Sequence, residues 1–200
     1  MTQLAPESTS AMAKPDRSDR PAISVRPFAD EDQTSVARIF HNVMLTRYTE
    51  PENQYHTPWR VYVAKRLRTD LANIDGAYVQ PGGNFWVAVA TAKDGQQRIA
   101  GIIGLERKDE SVGEVRSVFV DVDHHRLGVG RALMTALVEW AKTHSFSQLF
   151  LTTTAENDQS RGFYESMGFH FEPQSPPLTM AFPDPTAPLL PLAKYVHDLQ

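Results

Sequence analysis

The most constraining feature of the sequence is a strand pattern that leads through a glycine-containing turn into an amphipathic helix pattern. Alternating residues predict a strand over 113–120, the turn reads HHRLGVG (124–130), and a helix is predicted over 129–144. The first backbone N–H groups of a helix have no intrahelical acceptor, and the helix dipole places partial positive charge beside them. Gly128 and Gly130 leave these groups accessible, so the segment is either an anion-binding turn or a tight connection between strand and helix.

Apolar periodicity predicts the remaining elements and, with them, the fold class. The predicted order is β-α-α-β-β-β-α-β-α-β-β. Consecutive hairpin-type strands followed by a β-α-β unit favour an α/β fold with a mixed sheet and helices on its faces. Besides the segments above, strands are predicted at 23–28, 85–91, 98–106, 146–154, 169–172 and 178–182, and helices at 29–45, 57–74 and 158–168.

The bulk composition fits one globular domain and argues against several function classes. A chain of 200 residues with a hydrophobic fraction of 41% can bury a substantial core. The formal net charge of −4 offers no basic footprint for nucleic acid. The absence of cysteine excludes disulfides, thiolate nucleophiles and cysteine-ligated metal sites. No apolar run approaches the roughly 18 residues that would indicate a membrane span, so no membrane partner is expected.

The chain divides into three predicted segments. Residues 1–22 are rich in Ser, Pro, Asp and Ala, and they are predicted to form a disordered arm. They contain no apolar stretch typical of a secretory signal, and a cytoplasmic location is therefore expected. A domain is predicted over 23–183, and a proline-rich tail over 184–200 is expected to carry a short amphipathic helical turn at 192–199.

Two motifs carry a resemblance to a known family. The window HRLGVG (125–130) resembles the [RQ]xxGx[GA] loop of motif A in the GNAT superfamily of acyl-CoA N-acetyltransferases, with His125 in place of Arg or Gln. The later segment 157–169 is similar to the family's NxxAxxxYxxxGF pattern, with Ser160 in place of Ala. The upstream stretch 62–90 resembles the camello-like branch, which includes cysteine-S-conjugate N-acetyltransferases.

This resemblance implies a GNAT-like fold, in which a central mixed sheet of six to seven strands is flanked by about four helices. It also implies acetyl-CoA as the acetyl donor, with the pyrophosphate held at the glycine turn. The backbone of Phe119 and Val120 would pair with the pantetheine arm and direct an N–H at the thioester carbonyl. The residues implied to hold acetyl-CoA are Phe119, Val120, His125, Arg126, Leu127, Gly128, Val129, Gly130, Arg131, Asn157 and Ser160.

Two residues are candidates for catalysis. The resemblance implies that Tyr164 protonates the departing thiolate, and a phenol suits this role because the reference pKa values of the two groups lie within about 1.5 units. The alternative for Tyr164 is a packing role in the core. The resemblance also implies Glu114 as the candidate base, because lysine-acetylating members of the family carry a catalytic glutamate at this spacing, six residues before Val120. Even spacing along a strand would place Glu114 on the face of Val118 and Val120. Glu106 and a water chain are the alternative bases.

Several other residues have a plainer interpretation beside the functional one. Asn157 either bonds the pantetheine arm or caps a helix. The basic run 65–68 is interpreted as a solvated helix face, whereas Trp59, Tyr62 and Trp86 belong either to the core or to the acceptor pocket. His124 and His125 lack an obvious third ligand, so no metal site is expected.

The function that fits these observations is direct acetyl transfer from acetyl-CoA to a primary amine of a small molecule in a ternary complex. The first alternative is a protein lysine or N-terminal acetyltransferase. The second is an acyl-CoA-binding module without catalysis. A monomer and a homodimer both fit the sequence.

Overall fold

The computed structural model describes residues 20–47, 53–183 and 185–199, which form one mixed sheet with helices on both faces. The elements are β1 Ala22–Pro27, α1 Gln33–Arg47, α2 His56–Arg66, β2 Asn84–Thr91, β3 Gln97–Arg107, β4 Val112–Val120, α3 Val129–Thr143, β5 Gln148–Thr154, α4 Asp158–Glu165, β6 His170–Glu172, β7 Thr179–Met180 and β8 Leu190–Asp198.

The strands of the sheet follow the order β1-β2-β3-β4-β5-β8-β6, and β7 pairs with β8. Among the described strands, only β4 and β5 pair in parallel; the other pairs are antiparallel. The predicted mixed α/β sheet is confirmed, with eight strands instead of six to seven.

The central strands separate two apolar cores. Successive side chains of a strand point to opposite faces, so Ile102 of β3 packs in the core beneath α1 and α2, and Ile103 packs in the core beneath α3. The same alternation divides β2, where Phe85 and Trp86 lie on opposite faces. Because both faces of these strands are covered, their sequences are continuously apolar, as is typical of strands buried on both sides.

The second predicted helix, 57–74, ends earlier than its apolar periodicity indicates. Helix α2 stops at Arg66, and a single π-helical turn follows at Asp75–Val79. The backbone N–H of Leu71 bonds to the carbonyl of Arg66 at 3.1 Å, which continues the chain as turns. Leu71 and Ile74 are fully buried all the same. Tertiary packing therefore satisfies the apolar pattern without helical geometry, and the predicted bound was wrong.

The predicted helical turn at 192–199 is wrong, because residues 192–198 form most of β8. That strand inserts between β5 and β6, in a register that runs from Gln148 opposite Asp198 to Thr154 opposite Leu192. Tyr195 and Val196 are buried there. The domain consequently extends beyond the predicted boundary at residue 183. The predicted arm at 1–22 falls almost entirely outside the described residues, although β1 begins at Ala22.

Candidate active site

The parallel strands β4 and β5 diverge and leave a wedge-shaped cavity between them. They pair only where Val112–Glu114 of β4 faces Gln148–Phe150 of β5. Beyond this point a cavity of about 960 Å³ is lined by the later residues of both strands and by the glycine turn. Within the described ranges, β4 has no strand partner on this side past Glu114. An unpaired strand edge offers backbone donors and acceptors to an extended ligand.

The glycine turn opens the N-terminus of α3 into this cavity. Gly128 is the N-cap of α3 and has φ +85°, a left-handed conformation that glycine adopts without penalty. A Cβ added to Gly130 would lie 3.5 Å from the Phe163 ring and 3.6 Å from Val120, at the surface of the cavity. Arg126 and Arg131 also line the cavity. The turn thus combines accessible helix N–H groups with two cationic side chains, as an anion site requires.

The structure brings together most of the residues predicted to bind acetyl-CoA. Two of them lie elsewhere: the Leu127 side chain packs against the core beneath α3, and Asn157 does not line the cavity. Asn157 caps α4 by accepting a hydrogen bond from the Ser160 backbone N–H at 3.2 Å. Its Nδ2 is buried and has no hydrogen-bond partner among the described residues. The predicted residues that line the cavity are Phe119, Val120, His125, Arg126, Gly128, Val129, Gly130, Arg131 and Ser160.

Tyr164 lies at the boundary between the core and the cavity. Its side chain belongs to the core beneath α3, where its ring centroid is 5.4 Å from that of Phe163 and 6.3 Å from that of Tyr195. The residue nevertheless lines the cavity. The packing role and the catalytic role considered for Tyr164 are therefore compatible, because the buried ring fixes the direction of the phenol.

A β-bulge in β4 changes which side chains share a face. Ser117 and Val118 together stand opposite the single residue Ile103 of β3. Ser117 has φ +55°, a left-handed conformation that costs a non-glycine residue on the order of 1–3 kcal/mol. A bulge adds one residue to the strand, and the alternation of side chains shifts after it.

The prediction that Glu114 shares a face with Val118 and Val120 is wrong for this reason. Glu114 pairs with Glu106, and Phe119 pairs with Ile102, which places both on the face of α1 and α2. The Phe119 ring contacts Phe40 of α1 with 5.2 Å between centroids. Val118 and Val120 instead pack against the core beneath α3. Glu114 therefore faces the part of the cavity bounded by the first two helices.

The two carboxylates considered as bases differ in their surroundings. Glu106 contacts Arg116 at 2.5 Å and Lys108 at 2.9 Å. Burial alone would raise the pKa of Glu106, but the hydrogen bonds from Arg116 and Lys108 outweigh burial and hold that pKa below its ordinary value. Glu114 contacts Lys108 at 3.1 Å and lines the cavity, whereas Glu106 does not line it. Glu114 is thus the better placed of the two to receive a proton.

Arg66 was predicted to lie on a solvated helix face, and this prediction is wrong. The residue is 8% exposed, and its guanidinium forms a bidentate pair with Asp70, four residues later in the turns that follow α2. It also donates to the Tyr78 hydroxyl at 3.2 Å and to Ser117 Oγ at 2.9 Å. The spacing of Tyr62, Arg66 and Asp70 was the available signal, since residues four apart would share one face of the helix predicted over 57–74.

The charges in this buried cluster are balanced. Burial would raise the pKa of Asp70, but the hydrogen bonds from Arg66 outweigh burial and lower it. Burial raises the pKa of Tyr78 to about 12, so this phenol stays protonated near neutral pH and donates to Asp70 at 3.0 Å. The cluster therefore holds one cation, one anion and a neutral donor beneath the bulge of β4.

The end of the cavity near α2 combines aromatic walls with a cation. Trp59 and Tyr62 of α2 line it, with 5.2 Å between their ring centroids. Arg116 also lines it and donates from Nη1 to Glu106. The Nε and Nη2 atoms of Arg116 have no hydrogen-bond partner in the described part of the chain, and the side chain is 31% exposed. These donors are available to an anionic group of a bound molecule.

The adjacent histidines lie beside the turn. Both line the cavity; His125 Nε2 lies 3.1 Å from the carbonyl oxygen of Val120, and His124 Nδ1 is buried without a hydrogen-bond partner in the ranges described. Among the described residues, no group of three or more His, Asp or Glu side chains could hold a metal ion. In the same residues, no helix is both long and apolar enough to cross a bilayer.

Comparison with known proteins points to one family. The family model described as Acetyltransferase (GNAT) family matches residues 45–169. N-acetyltransferase 8 of Homo sapiens is 32% identical over 124 residues, which cover 59% of this chain and 52% of that protein. The N-acetylaspartate synthetase of Danio rerio is 34% identical over 110 residues, which cover 54% of this chain and 37% of that protein. The match thus spans about half or less of these curated relatives.

Solved structures share the fold at lower identity. A GNAT-family acetyltransferase from Staphylococcus aureus Mu50 superposes with a TM-score of 0.66 at 21% identity, covering 90% of this chain and 100% of that chain. The structure of yncA from Salmonella typhimurium with its cofactor acetyl-CoA superposes with a TM-score of 0.61 at 17% identity, covering 90% of this chain and 95% of that chain. Similarity at these identities establishes the common architecture.

Proposed function

Because this chain belongs to the GNAT family of acetyltransferases, we propose that it transfers an acetyl group from acetyl-CoA to a primary amine of a small molecule. One observation carries the proposal: a single cavity joins an anion-binding turn, an unpaired strand edge and an aromatic end with charged side chains. A donor that is anionic at one end and extended toward a reactive group fits this order of features.

The residues of the cavity fit acetyl-CoA in three separate respects. The N-terminus of α3, with Arg126 and Arg131, suits the pyrophosphate. The free edge of β4 suits the amide groups of the pantetheine arm, which can pair as an added strand. Thr152–154 of β5 line the opposite wall and offer further hydroxyl and backbone groups.

The reaction needs one proton removed and one supplied. As the acceptor nitrogen forms its bond to the acetyl carbon, the C–S bond breaks and the electron pair stays on sulfur. Glu114, directly or through water, takes the proton of the acceptor amine, and Tyr164 supplies a proton to the sulfur. A backbone N–H of β4 near Phe119 stabilises the charge that develops on the carbonyl oxygen.

The acceptor we propose is an amine that carries a carboxylate, such as an α-amino acid. By its name, the Danio rerio relative makes N-acetylaspartate, whose parent amine bears carboxylates. In this chain, Arg116 has free donors facing the cavity, and it lies two residues from Glu114 on the same face of β4. A guanidinium fork matches a carboxylate in geometry and charge.

The first experiment is calorimetric titration of the purified protein with acetyl-CoA, CoA, ATP and NAD. We expect acetyl-CoA and CoA to bind and the other two nucleotides not to bind. If neither acetyl-CoA nor CoA binds, the turn is only a connection and the proposed function is wrong.

The acceptor is then identified by a thiol-release assay with matched amines. Each α-amino acid is compared with its amide and with its decarboxylated amine, and we expect only the acid to be used well. Arg116→Gln should remove this preference. Efficient acetylation of peptides at lysine or at the N-terminus, with no small amine used, would contradict the small-molecule proposal and favour a protein acetyltransferase.

A further inference from the structure

The bulge of β4 places Ser117 in a backbone conformation that serine does not favour. A serine at φ +55° is strained, and such residues persist only where the surrounding structure holds them. Ser117 is 8% exposed, so its hydroxyl must find its partners inside the protein. Those partners should explain why a residue other than glycine is stable at this point of the strand.

The partners of Ser117 come from the segment around α2. Arg66 Nη2 donates to Ser117 Oγ at 2.9 Å, and the Tyr78 hydroxyl lies 3.3 Å from the same oxygen. Arg66 is itself fixed by the bidentate pair with Asp70. A planar guanidinium held in this way can direct a donor at one oxygen with little freedom to move.

Arg66 lines the cavity, but its nitrogen atoms are occupied by the protein. Nε and Nη2 bind Asp70, Nη1 donates to the Tyr62 hydroxyl at 3.2 Å, and Nη2 also contacts Tyr78 and Ser117. In this respect Arg66 differs from Arg116, whose Nε and Nη2 are free among the described residues. Arg66 is therefore better placed to act on a bound molecule through β4 than by direct contact.

We propose that Arg66 is a positioning residue, which holds the bulge at Ser117 and thereby fixes the β4 edge that receives the acetyl donor. The inference rests on the proposed function, because the unpaired edge past the bulge includes Phe119 and Val120. Without the bulge, Phe119 could not share the face of Glu114 and pack on Phe40. The hydrogen bond from Arg66 to Ser117 thus links α2, which lines the part of the cavity proposed for the amine, to the part of β4 proposed to bind acetyl-CoA.

The matched test compares Ser117→Ala with Ser117→Gly. Both variants lose the hydroxyl, but glycine adopts a positive φ freely and alanine does not. We expect Ser117→Ala to lower kcat on the order of tenfold to a hundredfold, since small misplacements around a reaction centre cost up to about that much. Ser117→Gly should keep most of the wild-type kcat. Equal kcat for Ser117→Ala and the wild type, or equal losses for both variants, would overturn the proposal.

Rescue of an Arg66 variant gives the second test. Removal of Arg66 alone would leave Asp70 buried without its partner and threaten folding, so Arg66→Met is combined with Asp70→Asn. We expect this double variant to have a lower kcat than the wild type. The addition of Ser117→Gly should restore a large part of kcat, while the melting temperature stays at that of the double variant. If Ser117→Gly restores nothing, Arg66 does not act through the bulge.

Titration of CoA separates failure of this inference from failure of the proposed function. The wild type must bind acetyl-CoA for either proposal to stand. If the wild type binds and turns over while the Ser117 variants behave like it, only the role of Arg66 is overturned. If the wild type binds no CoA, the function itself is wrong.

Discussion

Arg38 of α1 and Asp121, which directly follows β4, form an ion pair with 2.6 Å between Nη1 and Oδ2. Asp121 is 8% exposed and also accepts a hydrogen bond from the Asp123 backbone N–H at 3.3 Å. The pair therefore fastens the start of the glycine turn to the first helix. The pair should affect CoA binding more than stability, because isolated ion pairs with an exposed partner typically contribute about 0–1 kcal/mol to the free energy of unfolding.

Arg38→Ala should weaken CoA binding several-fold and leave the melting temperature nearly unchanged, because the turn becomes less well ordered before it binds. Calorimetry with CoA measures this directly. Arg26→Ala is the matched control, since Arg26 pairs with the buried Asp32 at 2.6 Å. Both pairs join a half-exposed arginine to a buried aspartate, so the control should change the melting temperature to a similar small extent but keep its CoA affinity. If Arg38→Ala binds CoA like the wild type, the pair does not organise the turn.

Gly130→Glu should abolish CoA binding without unfolding the protein. A Cβ at Gly130 meets its nearest atoms at 3.5 Å, so there is room for the side chain, but its carboxylate would occupy the proposed pyrophosphate site. Gly162→Glu introduces the same charge on α4, where a Cβ meets nothing within 4 Å. Unchanged CoA affinity in Gly130→Glu would show that the turn does not bind the pyrophosphate.

Tyr164→Phe should lower turnover more than it raises the KM for acetyl-CoA, because the phenol gives its proton only when the C–S bond breaks. Tyr195→Phe removes a hydroxyl from a neighbouring core tyrosine that does not line the cavity. That control should keep full activity. Equal turnover in Tyr164→Phe and the wild type would leave Tyr164 with a packing role only.

Glu114→Gln should reduce turnover on the order of 10²–10⁴-fold, since that is what a general base contributes. Glu106→Gln should reduce turnover less, because Glu106 lies outside the cavity and is paired with Arg116 and Lys108. A large loss of turnover in Glu106→Gln and none in Glu114→Gln would assign the role of base to Glu106.

The stability of the protein should fall in acid partly through Asp32. Burial would raise the pKa of Asp32, but hydrogen bonds from Arg26 and from the Ala29 backbone outweigh burial and lower it. A carboxyl with a lowered folded-state pKa contributes stability that is fully present above its unfolded pKa, about 3.9, and lost as the pH falls through the folded value. Urea unfolding between pH 7 and pH 2 measures this loss.

Asp32→Asn is the variant that isolates the contribution of this carboxyl. It should be less stable at neutral pH by about 1.5–3 kcal/mol, which is typical of a hydrogen bond to a charged group. Its stability should also depend less steeply on pH below 4 than that of the wild type. Parallel pH profiles would mean that Asp32 titrates alike in the folded and unfolded states.

The elements around the turn were the easiest to predict from the sequence. The strand, the glycine turn and α3 carry signals that act over a few residues, and α3 begins at Val129 as predicted. The resemblance to the GNAT superfamily at 125–130 and 157–169 is confirmed by the family match, and that to the camello-like branch by the similarity to N-acetyltransferase 8. Motifs that extend over a few residues can be recognised in a single sequence.

The missed features depend on partners distant in the chain. The bulge at Ser117 is stabilised by Arg66, 51 residues away, so no local pattern around Ser117 indicates it. The burial of Arg66 follows from the same contact. The strand β8 alternates too weakly and follows too many prolines to be distinguished from an amphipathic turn until its pairing with β5 is known.

The position of β8 has a consequence for how the chain acquires this structure. Of the described strands it is the last to leave the ribosome, yet β6 and β7 pair with no other strand and β5 needs it to cover one edge. Until it arrives, the nascent sheet exposes an unpaired edge, the kind of surface through which chains aggregate. A stop codon just upstream of Leu190 would therefore leave β5 with an unpaired edge and a protein that tends to aggregate. This would happen although every residue of the glycine turn had already been synthesised.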